Sequence, residues 1–331
     1  MRLIKIFFLV VALFLVLAAI AAFVFVKTFN VNAYLPQITK AASDALGREV
    51  SIATTGLDFS WPGITLDVEG IRVAGEPSIE AGKANTQIGL MPLLRQRKVH
   101  VSHIIISDIR VNAGDAKTPL DIRVPKLEVR VNDLSLDAPL PVSGEAFFAA
   151  GRLENFNVLK IVLGRINVIP GLGEQIEGLL SEKLRSRLGS ETTVLDQVRV
   201  KFTVKGRQVS IDDAIVQSPL FEAGIKGTAG FDGTVSMDVS FYVAEDLSQE
   251  LVRSITPLQG ILGQDGRLYV PGKLTGQAPK FRYIPDANYL AKKIVTSEGV
   301  KQISDQLDKV LKKNPEVKEI LNNVLNGIFN K

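Results

Sequence analysis

Hydrophobic positions change period three times along this chain, and each change predicts a different kind of structure. From Ile6 to Val26 the side chains are apolar without interruption. Twenty-one residues at 1.5 Å rise make a helix of roughly 32 Å, enough to cross a hydrocarbon layer of about 30 Å. Arg2 and Lys5 precede the run, and only Lys27 follows closely, so the positive-inside rule places the N-terminus in the cytoplasm. A cleaved secretory leader is the alternative. Ala18, Ala19, Ala21 and Ala22 offer small residues for cleavage, but the apolar run continues through Phe23 to Val26. A retained anchor is the expectation.

Beyond the anchor, Asn32 to Gly47 carries Leu35, Ile38, Ala42, Ala45 and Leu46 on one helical face, with Gly47 at the helix end. The segment Arg48 to Phe59 turns to strand, and the period then becomes two. Ile64, Leu66 and Val68 alternate with polar neighbours, and Ile71 and Val73 restart the pattern after Gly70. Leu127, Val129 and Val131 oppose Glu128, Arg130 and Asn132. Val198, Val200, Phe202 and Val204 oppose Arg199, Lys201, Thr203 and Lys205. Val235, Met237, Val239, Phe241 and Val243 oppose Thr234, Ser236, Asp238, Ser240 and Tyr242. Alternation of this kind predicts sheet with one apolar and one wet face. Turn residues at Gly206-Arg207, Asp232-Gly233 and Asp265-Gly266 predict hairpins. About a dozen to fifteen strands are expected, ending at Ile284 to Asp286.

Helical spacing returns in three places. Glu174 to Leu188 puts Ile176, Leu179, Leu180, Leu184 and Leu188 on one face, and Asp246 to Ile255 is a shorter candidate before Pro257. The tail, Asp286 to Lys331, holds stripes from Val300 to Leu311 and from Val317 to Phe329, with Asn314-Pro315 as a helix start. From Lys280 onward there are ten Lys/Arg and six Asp/Glu, so 10 − 6 = +4, equal to the net charge of the chain. A basic amphipathic tail either lies on an anionic membrane or covers the end of the sheet. The predicted organisation is an anchor over 1–27, a β region over 28–169, a second β region with the midchain helix over 170–285, and a helical tail over 286–331.

Composition narrows the chemistry. The absence of cysteine excludes disulfides, thiolate catalysis and cysteine metal sites. A net charge of +4, without a dense basic tract interleaved with aromatics, argues against nucleic acid. His100 and His103 stand three apart, on opposite faces of a strand unless a bulge intervenes, so no metal site is expected. Gly171-Leu172-Gly173 is followed by Gly178, misplaced for a dinucleotide loop. No nucleophile elbow and no zinc-protease motif occurs. Asp212, Asp213 and Asp232 read as turn residues. No catalytic residue, cofactor or metal is assigned, and an enzyme is not expected. What needs explaining is the apolar sheet face, which a second sheet, the chain's own helices or a bound apolar ligand must cover.

Several stretches resemble the AsmA-like family. VNAYLPQITKAASDALGREVSI, directly after the apolar run, is similar to the family's opening, with Ala45-Leu46-Gly47-Arg48 leading into Val50 and Ile52. Trp61-Pro62-Gly63-Ile64-Thr65-Leu66, with Val68, Gly70, Ile71 and Val73, fits it too, as does LMPLLRQRKVHVSHIIISDIRVN. IDDAIVQSPLFEAGIKGTAGFDGTVSMDVSF and VPGKLTGQAPKFRYIPD resemble its C-terminal region. The resemblance implies a mainly β protein: a transmembrane helix, then a long, bent antiparallel sheet forming an apolar groove, with a few amphipathic helices. It implies a single pass through a Gram-negative inner membrane, a periplasmic body, and phospholipid as the bound molecule, in support of the outer membrane. Val129, Val131, Val200, Phe202, Val235, Met237, Val239 and Phe241 are the groove candidates. About fourteen strands at ~4.8 Å give only about 70 Å, too short to bridge a periplasm alone. The competing expectation is a structural or assembly factor that binds envelope proteins through a self-covered sheet.

Overall fold

A computed structural model of the chain describes residues 35–60, 63–89, 100–113, 119–135, 141–166, 181–277 and 280–295. The run Ile6–Val26, the boundary at Pro170-Gly171 and the tail beyond Val295 lie outside them. None of the described helices is long and apolar enough to cross a membrane.

The protein is mainly β, built on a bent sheet of thirteen described strands with a few helices. Helix α1 (Leu35–Leu46) stops at Gly47, whose N–H bonds Ser43 O at 2.8 Å. Strands β1 (Val50–Ser51) and β2 (Thr54–Ser60) both pair with β3 (Gly63–Val73). The sheet then runs in chain order through β4 (Ser78–Gly89), β5 (His100–Ala113), β6 (Leu120–Ser135), β7 (Val142–Glu154), β8 (Thr193–Lys205), β9 (Gln208–Gln217) and β10 (Phe221–Gly230). β11 (Thr234–Val243), β12 (Tyr269–Gln277) and β13 (Lys280–Pro285) complete it. Each pair from β1 to β10 is antiparallel.

The chain divides into two compact units. The first comprises residues 1–158, 190–239 and 274–282 and holds most of the sheet. The second comprises 159–189, 240–273 and 283–331. It contains α3 (Glu182–Leu188), α4 (Glu245–Ser254), a 3-10 helix (Thr256–Ile261) and α5 (Ala287–Val295), together with most of α2 (Val158–Gly164). α3 is the described part of the helix expected over Glu174–Leu188, and α4 stands one residue earlier than expected. α2 was read as part of no helix. Its seven residues bury Leu159, Val162 and Leu163 at helical spacing, too short a run to separate from a strand by pattern.

One local feature shapes the first unit. Extending each pairing register places Ala53, Gly70, Gly82, Asp108, Pro125, Ala150 and Asp196 in a single line across the sheet. Three of them adopt left-handed backbone: Gly70 at φ 65°, Asp108 at 55° and Ala150 at 58°. Registers on either side of the line agree, so no strand gains or loses a residue relative to its neighbour. Instead the alternation slips by one in every strand at once. Apolar positions run 66, 68 then 71, 73 in β3; 104, 106 then 109, 111 in β5; 127, 129 then 124, 122 in β6. In β3, β5 and β7 the left-handed residue reverses the side to which the following side chains point, and in all six strands from β3 to β8 the slip in sequence keeps one face apolar across the crease. The edge strand breaks at the same line, which is why β1 and β2 are separate.

The second unit is a conventional core. Phe241, Val243, Leu247, Leu251, Leu258, Ile261, Leu268 and Leu290 are fully buried there. Ser248 closes its polar bookkeeping: its hydroxyl donates to Val243 O (3.1 Å) and accepts from Leu268 N–H (2.9 Å).

The β10–β11 turn is set by Asp232, whose Oδ1 accepts from the Thr234 N–H (3.0 Å) and hydroxyl (2.7 Å). These two bonds hold the carboxyl below its ordinary range. A carboxyl-carbon NMR titration is expected to place Asp232 below the usual value of about 3.9, and Thr234→Val to move it up. Because the folded-state value is depressed, the turn's stabilisation is present at neutral pH. It fades as pH falls through that value.

Candidate functional site

The registers join apolar residues from strand to strand into unbroken rows. One runs Leu57, Leu66, Thr86, Ile104, Val129, Ala146, Val200, Ala214, Ile225, from β2 to β10. Its neighbour runs Thr55, Val68, Ala84, Ile106, Leu127, Phe148, Val198, Val216, Ala223. Nine strands at ~4.8 Å give each row a length of about 38 Å. The opposite face is charged and largely paired across strands. Lys83 meets Asp67 at 3.1 Å and Glu69 at 3.5 Å, and Lys201 meets Glu145 at 3.8 Å. Lys126 holds Glu128 at 2.7 Å, and that bond lowers the glutamate's proton affinity. Ile105, Phe147 and Ile215 interrupt the charges on this face.

Burial separates the two units. The ten largest fully buried side chains among the described residues all belong to the second. The apolar rows of the first hold none. Ile104, Ile106, Leu127, Val129, Phe148, Val200 and Phe202 are each only partly buried. A sheet face packed under a second layer would seal such side chains. Val101, Val131 and Val142 form a small buried cluster at one end, flanked by Ile88, Ile104, Val129 and Phe202.

The sequence candidates fall into three groups. Val129, Val131, Val200 and Phe202 come together on the apolar face: Val129 and Val200 flank Ala146, while Val131 and Phe202 flank Gly144. Val235, Met237 and Val239 lie on β11 in the first unit, each half-buried. Phe241 belongs to the second unit and is 1% exposed, so it serves that core. Alternation runs through Val239 and Phe241 without a break, and nothing in it marks where the open face ends. A bulge does fall between Val101 and His103. Among the described residues no group of three metal-capable side chains is found.

Gly144 sets the depth of the face between Val131 and Phe202. A methyl there would lie 2.9 Å from the Phe202 ring and 3.2 Å from Val131 Cγ1, besides meeting Arg130 O. Gly144→Ala is expected to cost about 1–3 kcal/mol by overpacking, measurable by chemical denaturation.

Residues 1–118, which include α1 and the strands through β5, match the model of the AsmA family. Over that stretch the chain is AsmA-like. The creased edge of the sheet and the first four strands of the apolar rows, β2 to β5, therefore lie in the stretch that matches that family. No curated protein matches the chain.

Proposed function

We propose that this AsmA-like protein is a non-enzymatic, single-pass protein of a Gram-negative inner membrane. Its N-terminus is cytoplasmic and its body periplasmic, and the apolar sheet face is a groove that shields phospholipid acyl chains in support of the envelope. The carrying observation is the pair of apolar rows across nine strands, in which Thr55, Val198, Ala214 and Ala223 are buried while the other side chains, the large Ile104, Ile106, Leu127 and Phe148 among them, are only partly so. Acyl chains are the ligand whose chemistry fits: each methylene taken from water stabilises by about 0.8 kcal/mol and needs no polar partner. At about 38 Å the rows are short for a periplasmic bridge, which favours action with partners. The match over residues 1–118 and the apolar run Ile6–Val26 support the placement.

Native mass spectrometry and lipid extraction of the purified protein test this reading. Co-purified phospholipid is expected. A folded protein that carries none, and takes none up from vesicles, would sink it.

A second reading, an assembly factor that binds envelope proteins, draws on β13. There Phe281 is 43% and Ile284 48% exposed, large apolar side chains at the last strand of the sheet. In vivo crosslinking that finds protein partners but no lipid adducts would favour it.

A further inference from the structure

On the charged face, one row sets three arginines side by side. Beyond the crease, Arg110 on β5 stands directly opposite Arg123 on β6, and Arg123 directly opposite Arg152 on β7. Like charges in register across strands are destabilising, and acids lie close by: Glu80 on β4 stands opposite Arg110, and in the adjoining row Asp121 stands opposite Glu154. The three guanidiniums also stand outward. Asp121 holds Arg123 at 2.7 Å and Glu154 lies 3.9 Å from Arg152, but these acids are 22% and 25% exposed against 55% and 60% for the arginines. Arg110 is exposed and has no side-chain partner among the described residues. Three planar forks presented to solvent outside their acids suit bidentate contact with phosphate groups.

We propose that this arginine row docks the sheet onto the anionic headgroup layer of the membrane from which the chain emerges. The proposal rests on reading Ile6–Val26 as an anchor. The outward guanidiniums, more exposed than the acids beside them, name the partner, and chain length makes it reachable. Residues 27–34 alone separate the apolar run from α1, and eight residues span at most about 28 Å. α1 leads at once into β1, where Ser51 faces Arg72, the β3 member of this same row. Arg152 lies four strands further on, about 19 Å away. The linker and α1, whose twelve residues add about 18 Å, thus tether the start of the row to the end of the apolar run.

The test uses the full chain in lipid nanodiscs. The protein has no cysteine, so Asn112→Cys, two residues from Arg110, takes a single fluorophore. Its quenching by a nitroxide on the lipid headgroups reports approach. Quenching is expected in discs containing phosphatidylglycerol and not in phosphatidylcholine alone, and 0.5 M salt should reverse it, the screening length falling to a few ångströms. The triple variant Arg110→Gln, Arg123→Gln, Arg152→Gln should shift the docked-to-free ratio down by roughly a hundredfold, about fivefold per arginine. The triple lysine variant should keep part of it. The glutamine variant leaves Asp121 opposite Glu154 without their cations. Circular dichroism and melting therefore establish its fold before its quenching is read, and the lysine variant, which keeps the charges, is the folded comparison.

Equal quenching in both lipids, indifference to salt, or quenching that needs an added envelope protein would overturn docking. Resistance to alkaline extraction checks the anchor separately. If the chain fails to insert, the anchor reading falls, and flotation with the same anionic vesicles decides the docking by itself: no flotation ends it.

Discussion

Val200→Glu is expected to remove bound phospholipid from a protein that still folds, whereas Arg199→Glu, one residue away, is expected to leave lipid content unchanged. Val200 sits in the middle of an apolar row, between Ala146 and Ala214, and is only partly buried. In the empty protein its replacement reaches water. An acyl chain laid across it would have to desolvate the carboxylate, a cost of about 3 kcal/mol or a loss near a hundredfold in affinity. Arg199 points to the opposite face, beside Phe147 and Ile215, so a charge there meets solvent. Circular dichroism and melting establish the fold; extracted phospholipid per protein reads the effect. Equal lipid in both variants would mean that this row does not touch the ligand.

The second large effect belongs to the other unit. Leu251→Ala in α4 removes a fully buried side chain from the core that also holds Leu247, Leu258 and Leu268. Truncations of this kind cost about 2–5 kcal/mol, according to how far the cavity collapses. The loss is expected in the hydrogen exchange of α4 and the 3-10 helix. The amides of β5 to β7, in the first unit, should exchange as before. A uniform change across both units would show that they unfold as one.

Much of the fold was legible because strand alternation is a local property. The two faces of β3, β6, β8 and β11, the C-terminal end of α1 at Gly47, α4 to within one residue, and the end of the sheet at Pro285 all follow from residue spacing. The restart of the pattern after Gly70 was visible too. What spacing cannot supply is register. Each of β5, β6 and β7 contributes one arginine that looks unremarkable among its neighbours, and pairing alone sets the three side by side. The same holds for the crease: Asp108 and Ala150 carry no sign of left-handed backbone, which β-rich sequence disfavours, and their alignment with Gly70 appears only across strands. Phe241 shows a third limit. Its period matches that of the open face, but burial is decided by helices that follow it.

The crease also constrains how this sequence can change. Each strand crossing it carries one residue whose only office is to shift phase, and all do so at the same level. Deleting Asp108 alone would remove the β5 residue that crosses the line and set Ile109, Arg110 and Val111 one position out of step with their partners on β4 and β6. Single-residue insertions and deletions should therefore be rare in these strands among descendants of this chain, while hairpin tips beyond the crease remain open to length variation.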